Sequence, residues 1–562
     1  MKYINLPIGR SGFEDIREND YYYIDKTGLI EELVKTHGTQ VTLITRPRRF
    51  GKTLAMSMLE SFFDIRKNTK RFFEGLEISN NHELCEQWIN QYPTVFVSFK
   101  SVDGLSFAEA YAQLASVISQ LYRNHLYLMD SGKINSYDKI YFDHIASKTA
   151  SQNDIKNSLL ELSKMLETHN GKPVILLIDE YDVPLAKASE KNYYPQMLDM
   201  MKGLLQAFKD NPSLKFAVLT GCLRIAKESI FTGTNNFLSD TISDTRLNEY
   251  FGFTETEVQK ILEDTGCTEH AERVKMWYDG YRFGNFDIYC PWDVLNYVNK
   301  VRTNHITEPE SFWEHTSDNA IIGTFLSRDK STVKEKMEIL MAGGYIKETI
   351  TENLTYDVMK SSEDNVWSLL YLTGYLTKVS PEELESSDTF GKGQLALKIP
   401  NAEVKEIFKN SIDRWFCNQS ASCDYGKLWQ SLWNADTADL SQQLSDLLFD
   451  TISYHDYSES FYHAFLTGLF SGTEYVVESN YENGLGRADL LIKDRSNRRA
   501  AVIEAKIARC EDRLEAECDE ALKQIEKRQY ARRVERAGYR SIVRFGMAFY
   551  RKSCVVKSGE TA

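Results

Sequence analysis

No run of about 18 apolar residues occurs anywhere in this sequence of 562 residues, so a membrane-spanning helix is not expected. The opening stretch, MKYINLPIGRSGFEDIREND, lacks the unbroken apolar segment of a secretory signal, and export is not expected either. The nine cysteines (Cys85, Cys222, Cys267, Cys290, Cys417, Cys423, Cys510, Cys518 and Cys554) are scattered, with no CxxC pair and no Cys/His cluster at zinc-finger spacing. Free thiols in a reducing cytoplasm are the expected state. Only 11 prolines and 30 glycines are present, and neither gathers into a long linker or low-complexity tract; no internal repeat is evident. A positive excess is missing too: 67 Lys and Arg face 81 Asp and Glu, a net charge of -14. No global field therefore draws nucleic acid or anionic lipid to the molecule, and any polyanion site has to be local. What remains, 42% hydrophobic and 26% charged residues, is an ordinary globular composition. At roughly 150 residues per domain the length suggests about three or four domains.

Charge is unevenly distributed. Residues 487–562 hold 19 Lys and Arg against 12 Asp and Glu, so a basic tail module follows an acidic body. Such asymmetry hints at a nucleic-acid-facing end. In the first half, short branched runs (QVTLIT, TVFVSFK, PVILLID and LKFAVLT) alternate with helix-length amphipathic segments at 54–64, 107–121, 154–166 and 194–209. Strands separated by helices imply a mainly parallel α/β sheet buried on both faces. From residue 253 to about 450 the pattern reads as helical, with a small winged-helix-like unit in the middle. After residue 453 strand signals return in EYVVES, RADLLIK and RAAVIEAKIA, followed by a charged helix over 513–536 and a last strand near 542–550. The expected boundaries are a P-loop domain at 1–252, a helical lid at 253–300, a winged-helix-like domain at 301–400, a helical connector at 401–452 and a final α/β domain at 453–562.

The strand QVTLIT runs into RPRRFGKT and then a helix, so Gly51, Lys52 and Thr53 stand at a strand-to-helix turn. Backbone N–H groups at such a turn hold phosphate, a lysine reaches the β- and γ-phosphates, and a threonine hydroxyl binds Mg²⁺. The first glycine of the usual loop is replaced by Arg46. Some 120 residues on, PVILLIDEYD ends a strand in Asp179 and Glu180, one suited to the Mg²⁺ shell and the other to polarising the attacking water. The alternative for these two is a helix cap and a solvated strand end. Hydrolysis also calls for a group near the γ-phosphate and for an arginine. Thr220 suits the first role, and Arg224, with Arg48 and Arg49 as alternatives, suits the second. ATP with Mg²⁺ is the expected cofactor pair.

In AAVIEAKIA, Glu504 and Lys506 lie two apart on a strand and share one face, with Ile503, Ala505 and Ile507 on the other. A turn at 495–497 would fold this strand back on RADLLIK and bring Asp489 to the same locus. Two carboxylates can hold Mg²⁺ or Mn²⁺, and a lysine can orient water or stabilise charge on phosphorus. A surface ion pair on an edge strand is the competing reading. Glu459, on a preceding helix, and Gln524, on a following one, could join the site. His455 and His463 have no metal-like spacing and are taken as structural.

Taken together, LPIGRSGFEDIREND, YYYIDKTGLIEELV, TRPRRFGKT, VILLIDEYDVPL, LTGCLRIAKESIFTGTNNF and MWYDGYRFG resemble a prokaryotic family of AAA-like ATPases in which the RPRRFGK loop is usual. ESFYHAFLTGLF, SNYENGLGRADLLI, AAVIEAKIA and ALKQIEKRQY resemble the PD-(D/E)xK nuclease-superfamily domain commonly fused to it. The resemblance spans nearly the whole chain. It implies an α/β multidomain protein with an ASCE-type P-loop sheet, a winged-helix middle and a restriction-endonuclease-like core. It assigns Lys52 and Thr53 to phosphate and Mg²⁺, Asp179 and Glu180 to Walker B, and Asp489, Glu504 and Lys506 to a nuclease triad. The expected function is ATP-regulated, metal-dependent cleavage of nucleic acid, DNA rather than RNA; the alternative is a nucleotide-switched scaffold that binds nucleic acid without cutting it. No membrane partner is expected, and the oligomeric state is left open.

Overall fold

The computed structural model describes residues 4–35, 40–225, 237–304, 308–313, 331–352, 364–384, 389–419, 425–451, 459–470, 475–483 and 486–559. The chain forms two compact units, the first from Met1–His315 with Tyr345–Val404, the second from Thr316–Gly344 with Lys405–Ala562. The stretch expected as one winged-helix-like domain is thus divided. Residues 345–404 contribute to the first unit a three-stranded antiparallel sheet with a helix at Asp364–Leu372, while the helix Ser331–Met341 belongs to the second. Among the described residues no helix is long and apolar enough to cross a membrane.

The first unit is built on five parallel strands: β1 (Val41–Thr45), β2 (Thr94–Ser98), β3 (Val174–Asp179), β4 (Leu214–Gly221) and β5 (Phe237–Asp240). They lie in the order β2-β3-β4-β1-β5. Every residue of β1 and β3 is buried, which explains their unbroken apolar runs. The order inserts β4 between the strand that ends in the glycine-lysine loop and the strand that ends in Asp179, as in ASCE-type sheets. The helices between the strands begin where their sequence tells them to: Gln152–Asn170 starts in a reciprocal capping box between Ser151 and Asp154 and stops at Gly171 in the left-handed region. On one face of the sheet the helix Lys52–Phe63 packs Met56, Leu59, Phe62 and Phe63 into a core with Ile44, Leu177, Phe216 and Val218.

Just beyond residue 253 the described chain is mostly helical, with a short hairpin among the helices. Helices Glu255–Thr265, Ala271–Tyr278 and Pro291–Asn304 surround a hairpin of β6 (Tyr281–Phe283) and β7 (Phe286–Ile288). Their apolar core takes in Leu6, with Ile4, Ile8, Tyr22 and Ile24 against it, so the start of the chain packs with these helices and not only with the sheet. Lys26 fixes the arrangement from outside, donating to the carbonyl of Glu249 and, at 2.6 Å, to the carboxylate of Glu257.

The second unit carries a five-stranded mixed sheet: β11 (Val476–Asn483), β12 (Gly486–Asp494), β13 (Arg499–Ile507), β14 (Ser541–Tyr550) and β15 (Ser553–Gly559), the labels β8 to β10 being kept for the small sheet of Ile346–Thr349, Thr377–Lys378 and Gln394–Lys398. β12 and β13 form the expected hairpin, and β13 pairs in parallel with β14. β15 was not foreseen. The charged helix expected over 513–536 is two helices, Leu514–Arg528 and Ala531–Arg536, because Gln529 adopts a left-handed conformation (φ 54) that ends the first. Ile503, Ala505, Phe545, Met547 and Phe549 face one core with Leu466 and Leu469. The helix Leu514–Arg528 covers the other face so closely that a Cβ on Gly546 would come within 2.3 Å of the Cys518 carbonyl oxygen.

Gly280 tests the integrity of the first unit. Its φ is +91°, and an added Cβ would lie 2.1 Å from the carbonyl oxygen of Pro400. Gly280→Ala is expected to lose about 2 kcal/mol or more through combined backbone strain and overlap, read as a lower melting temperature of the full chain in calorimetry.

Candidate functional site

Two clusters carry the chemistry, one in each unit. In the first, the loop between β1 and the helix Lys52–Phe63 contains two residues in the left-handed region, Arg49 (φ 73) and Gly51 (φ 84). This winding turns the loop back over the helix N-terminus, the geometry that points backbone N–H groups at an anion. Lys52 lies beneath it, almost fully buried. Its Nζ donates to the carbonyls of Arg46 and Pro47, both at 3.0 Å, and stands 3.7 Å from Glu180 Oε1 and 3.7 Å from Cys222 Sγ. Burial alone would lower the lysine pKa; the neighbouring Cys222, Glu180, Asp182 and Asp179 outweigh it, and the net shift is upward. The ammonium is therefore held charged inside the protein.

Asp179 is the hub of this cluster. Thr53 Oγ1 donates to its Oδ2 at 2.9 Å, Thr220 Oγ1 to its Oδ1 at 2.7 Å, and Ser98 Oγ to its Oδ2 at 3.2 Å. The hydroxyls come from the loop helix, β4 and β2, so the strand order delivers one from each neighbour of β3. Burial raises the carboxyl pKa, with the hydroxyl bonds and Lys52 acting against the rise. Ser98 escaped sequence reasoning; its only signal is its position at the end of a buried strand beside β3. Glu180, next in the chain, is forced to φ 53, an uncommon conformation for a side chain with a Cβ and one that tends to cluster at working sites.

The residues after Glu180 organise the end of β4. Asp182 Oδ2 accepts from the backbone N–H groups of Cys222 and Leu223, both at 2.9 Å, and Tyr181 Oη donates to the Leu223 carbonyl at 2.7 Å while accepting from Ile225 N. Arg224 rides on the segment thus clamped, and its Nε is buried without a hydrogen-bond partner among the described residues.

Two arginines of the loop, Arg46 and Arg49, have partners within the protein. Arg46 is fully buried, pairs with Asp240 Oδ1 at 2.6 Å, donates to Asn248 Oδ1 at 2.9 Å and lies over the rings of Phe251 and Phe283. Arg49, expected beside nucleotide, donates to the Phe312 carbonyl at 2.7 Å and stacks on Trp292. Phe50 sits edge-on to Tyr281 and against Phe283. The variant loop is thus bonded to β5 and to the aromatic hairpin behind it, and a glycine at position 46 could not make that connection.

In the second unit, the pairing of β12 with β13 ends at Leu490 and Ile503, and the next residue on each strand is Asp489 and Glu504. Asp489 Oδ2 accepts from the backbone N–H of Ala505 at 2.8 Å. Glu504, only 2% exposed, accepts from Gln524 Nε2, and Lys506 Nζ lies 3.7 Å from the same oxygen. Asp489, Glu504, Lys506 and Gln524 are therefore brought together, with Glu504 and Lys506 on the face away from the Ile503 core. Tyr530 joins them: it is buried, hydrogen-bonds with Gln524 and has its pKa raised by burial, with Glu504 and Asp489 adding to the rise. Sequence reasoning missed it because the break at Gln529 that returns the chain toward the sheet carries no glycine. Glu459 opens the helix Glu459–Phe470; its side chain, His455 and the side chain of His463 lie outside the described residues.

Neither cluster gathers three or more Asp, Glu, His or Cys side chains into a metal cage among the described residues. The donor sets still suit a hard cation that keeps part of its water shell: one hydroxyl and one carboxylate from Thr53 and Asp179, two carboxylates from Asp489 and Glu504.

Comparison with known proteins finds a match over each of the two regions that hold these clusters. Residues 7–231 match a family described as predicted AAA-ATPase, and residues 457–559 match the PD-(D/E)XK nuclease superfamily. The chain thus carries an AAA-ATPase-like domain followed by a PD-(D/E)XK-superfamily domain, kinds of domain that in general use nucleotide and divalent metal. A curated relative from Azotobacter chroococcum mcd 1, described as an uncharacterized protein in the vnfD 5' region, is 25% identical over 499 residues, 87% of this chain and 86% of its own length. The solved structure of the Aeropyrum pernix ORC2 protein in ADPNP-ADP complexes aligns with 73% of this chain and 96% of its own at 12% identity, with a TM-score of 0.23, too loose a superposition to inform fold or function.

Restoring the usual glycine at position 46 is expected to harm the protein. Arg46→Gly removes the closer of the two cations beside buried Asp240, leaving Arg246 at 3.6 Å, and should cost about 3–5 kcal/mol, whereas Arg46→Met combined with Asp240→Asn should cost less; urea unfolding of the three chains compares them.

Proposed function

We propose that this protein binds and hydrolyses ATP and is a metal-dependent nuclease, with nucleotide state regulating cleavage of nucleic acid, DNA in preference to RNA. The observation that carries the nuclease reading is the meeting of Asp489, Glu504, Lys506 and Gln524 at the point where two adjacent strands part. A Mg²⁺ or Mn²⁺ ion held by Asp489 and Glu504 would polarise a phosphodiester and lower the pKa of a water molecule. The chain's own residues do the rest. Gln524 fixes the rotamer of Glu504, the Ala505 N–H fixes Asp489, and the Lys506 ammonium sets a positive charge where negative charge grows on phosphorus. A buried carboxylate beside a lysine has a desolvation cost that a merely structural strand end would not need.

For nucleotide, support comes from the buried, charged Lys52 and from the three hydroxyls that converge on Asp179. Thr53 and Asp179 would hold Mg²⁺, and Glu180, at 3.7 Å from Lys52, is the group to orient an attacking water. Thr220 and Arg224 are the candidates to meet the terminal phosphate, by virtue of the clamp that Tyr181 and Asp182 place on the end of β4. The 19 Lys and Arg of residues 487–562 against 12 Asp and Glu favour a polyanionic partner for the second unit. A cytoplasmic location accords with the free-thiol reading of the cysteines.

Plasmid and single-stranded substrates, incubated with Mn²⁺ or Mg²⁺ with and without ATP, provide the test. Glu504→Ala is expected to reduce cleavage by about a hundredfold or more while leaving nucleotide affinity unchanged. Lys52→Ala should weaken ATP binding by about tenfold or more and remove the ATP dependence of cleavage. Equal cleavage by wild type and Glu504→Ala would overturn the nuclease reading. Salt-sensitive binding of DNA without scission under any metal condition would replace it with a nucleotide-switched binder.

A further inference from the structure

Behind the phosphate loop, in the same unit, lies a buried acid pair that neither catalytic reading uses. Asp293 stands in the first turn of the helix Pro291–Asn304 and Glu403 in the first turn of Ala402–Gln419; both are fully buried. Glu403 Oε1 accepts from two consecutive backbone N–H groups, Phe312 at 2.5 Å and Trp313 at 2.9 Å. The carbonyl of the same Phe312 accepts from Arg49 of the phosphate loop at 2.7 Å, and Arg49 also lies over Trp292, the residue before Asp293. Burial raises the pKa of both carboxyls, that of Glu403 further because the charge on Asp293 opposes its ionisation. Both carboxyls are thus harder to ionise inside the protein than in water.

The connection runs without a gap. One end is a loop residue three positions before Lys52, held at a positive φ that only its surroundings maintain. The middle is one peptide, Phe312, with its N–H and its carbonyl both engaged. The other end is the helix within which the chain passes from the first unit to the second. Arg46 and Phe50 end on β5 and on the aromatic residues of the 251–283 stretch, whereas Arg49 ends on the segment that Glu403 holds. A shift of the loop on binding phosphate therefore has a direct mechanical outlet at Glu403.

We infer that Arg49, the Phe312–Trp313 segment and Glu403 form a relay that reports nucleotide occupancy of the phosphate loop to the start of the helix Ala402–Gln419. The relay rests on the nucleotide-binding reading above but not on hydrolysis or on the nuclease. Glu403 is a positioning residue in it and touches no nucleotide. The bond pattern also specifies the side chain required at position 403: an amide oxygen can accept from the two N–H groups as the carboxyl oxygen does, and a methyl group cannot.

Hydrogen exchange at the Phe312, Trp313 and 402–410 amides, in the full-length protein with and without saturating ADP or a non-hydrolysable ATP analogue, tests this. Fluorescence titration with the same nucleotides establishes binding separately. In wild type and Glu403→Gln, nucleotide is expected to change exchange at these amides by about fivefold or more. In Glu403→Ala the change should vanish while affinity stays within about threefold of wild type. Arg49→Met cuts the relay at its other end and should abolish the change at saturating nucleotide, which keeps the test available if Glu403→Ala does not fold. Wild-type protein that binds nucleotide without altering these amides would overturn the relay, as would Glu403→Ala or Arg49→Met that retains the full change. Failure of wild type to bind nucleotide would instead remove the nucleotide-binding reading.

Discussion

A guanidinium with no exposed surface, that of Arg46, joins the phosphate loop to the strand β5 through Asp240 and to the aromatic residues that follow through Phe251 and Phe283. An ordinary phosphate loop has a glycine there. Here the shape also depends on a desolvated ion pair, with Asn248 taking a further guanidinium proton. Interior ion pairs seldom add much net stability, but a broken one is costly, so the pair acts chiefly to exclude other arrangements of the loop. Everything that follows in the first unit, from the placement of Lys52 to the direction of Arg49, takes its geometry from that constraint.

Much of this was legible in the residues. The buried strands of the first sheet, the loop that begins the helix Lys52–Phe63 and the carboxylate end of β3 all announce themselves by local composition. The hairpin that unites Asp489 with Glu504 followed from strand alternation and a polar turn. What escaped was whatever depends on distant contacts. Ser98 reaches Asp179 only because β2 happens to pair with β3, and Tyr530 reaches Gln524 only through a left-handed turn made by a glutamine. Arg49 has the charge of a phosphate ligand, and only the position of the Phe312 carbonyl, 263 residues away, reveals its actual partner.

The two clusters solve a similar electrostatic problem in different ways. At Asp179 a buried carboxylate is surrounded by neutral hydroxyls from three elements, with the lysine charge near but not bonded to it. At Glu504 the carboxylate is held by an amide and faced by an ammonium on its own strand. The first arrangement spreads the carboxylate's charge over three uncharged donors. The second keeps an ammonium and two carboxyls in fixed proximity.

The order in which the chain contributes to its two units has its own consequence. Residues 316–344 belong to the second unit although residues 345–404 return to the first, so the boundary is crossed three times. On a ribosome, the first unit stays incomplete until residue 404 has emerged, and by then a segment owed to the second is already waiting without its companions. No single cleavage of the polypeptide separates the pair into intact halves.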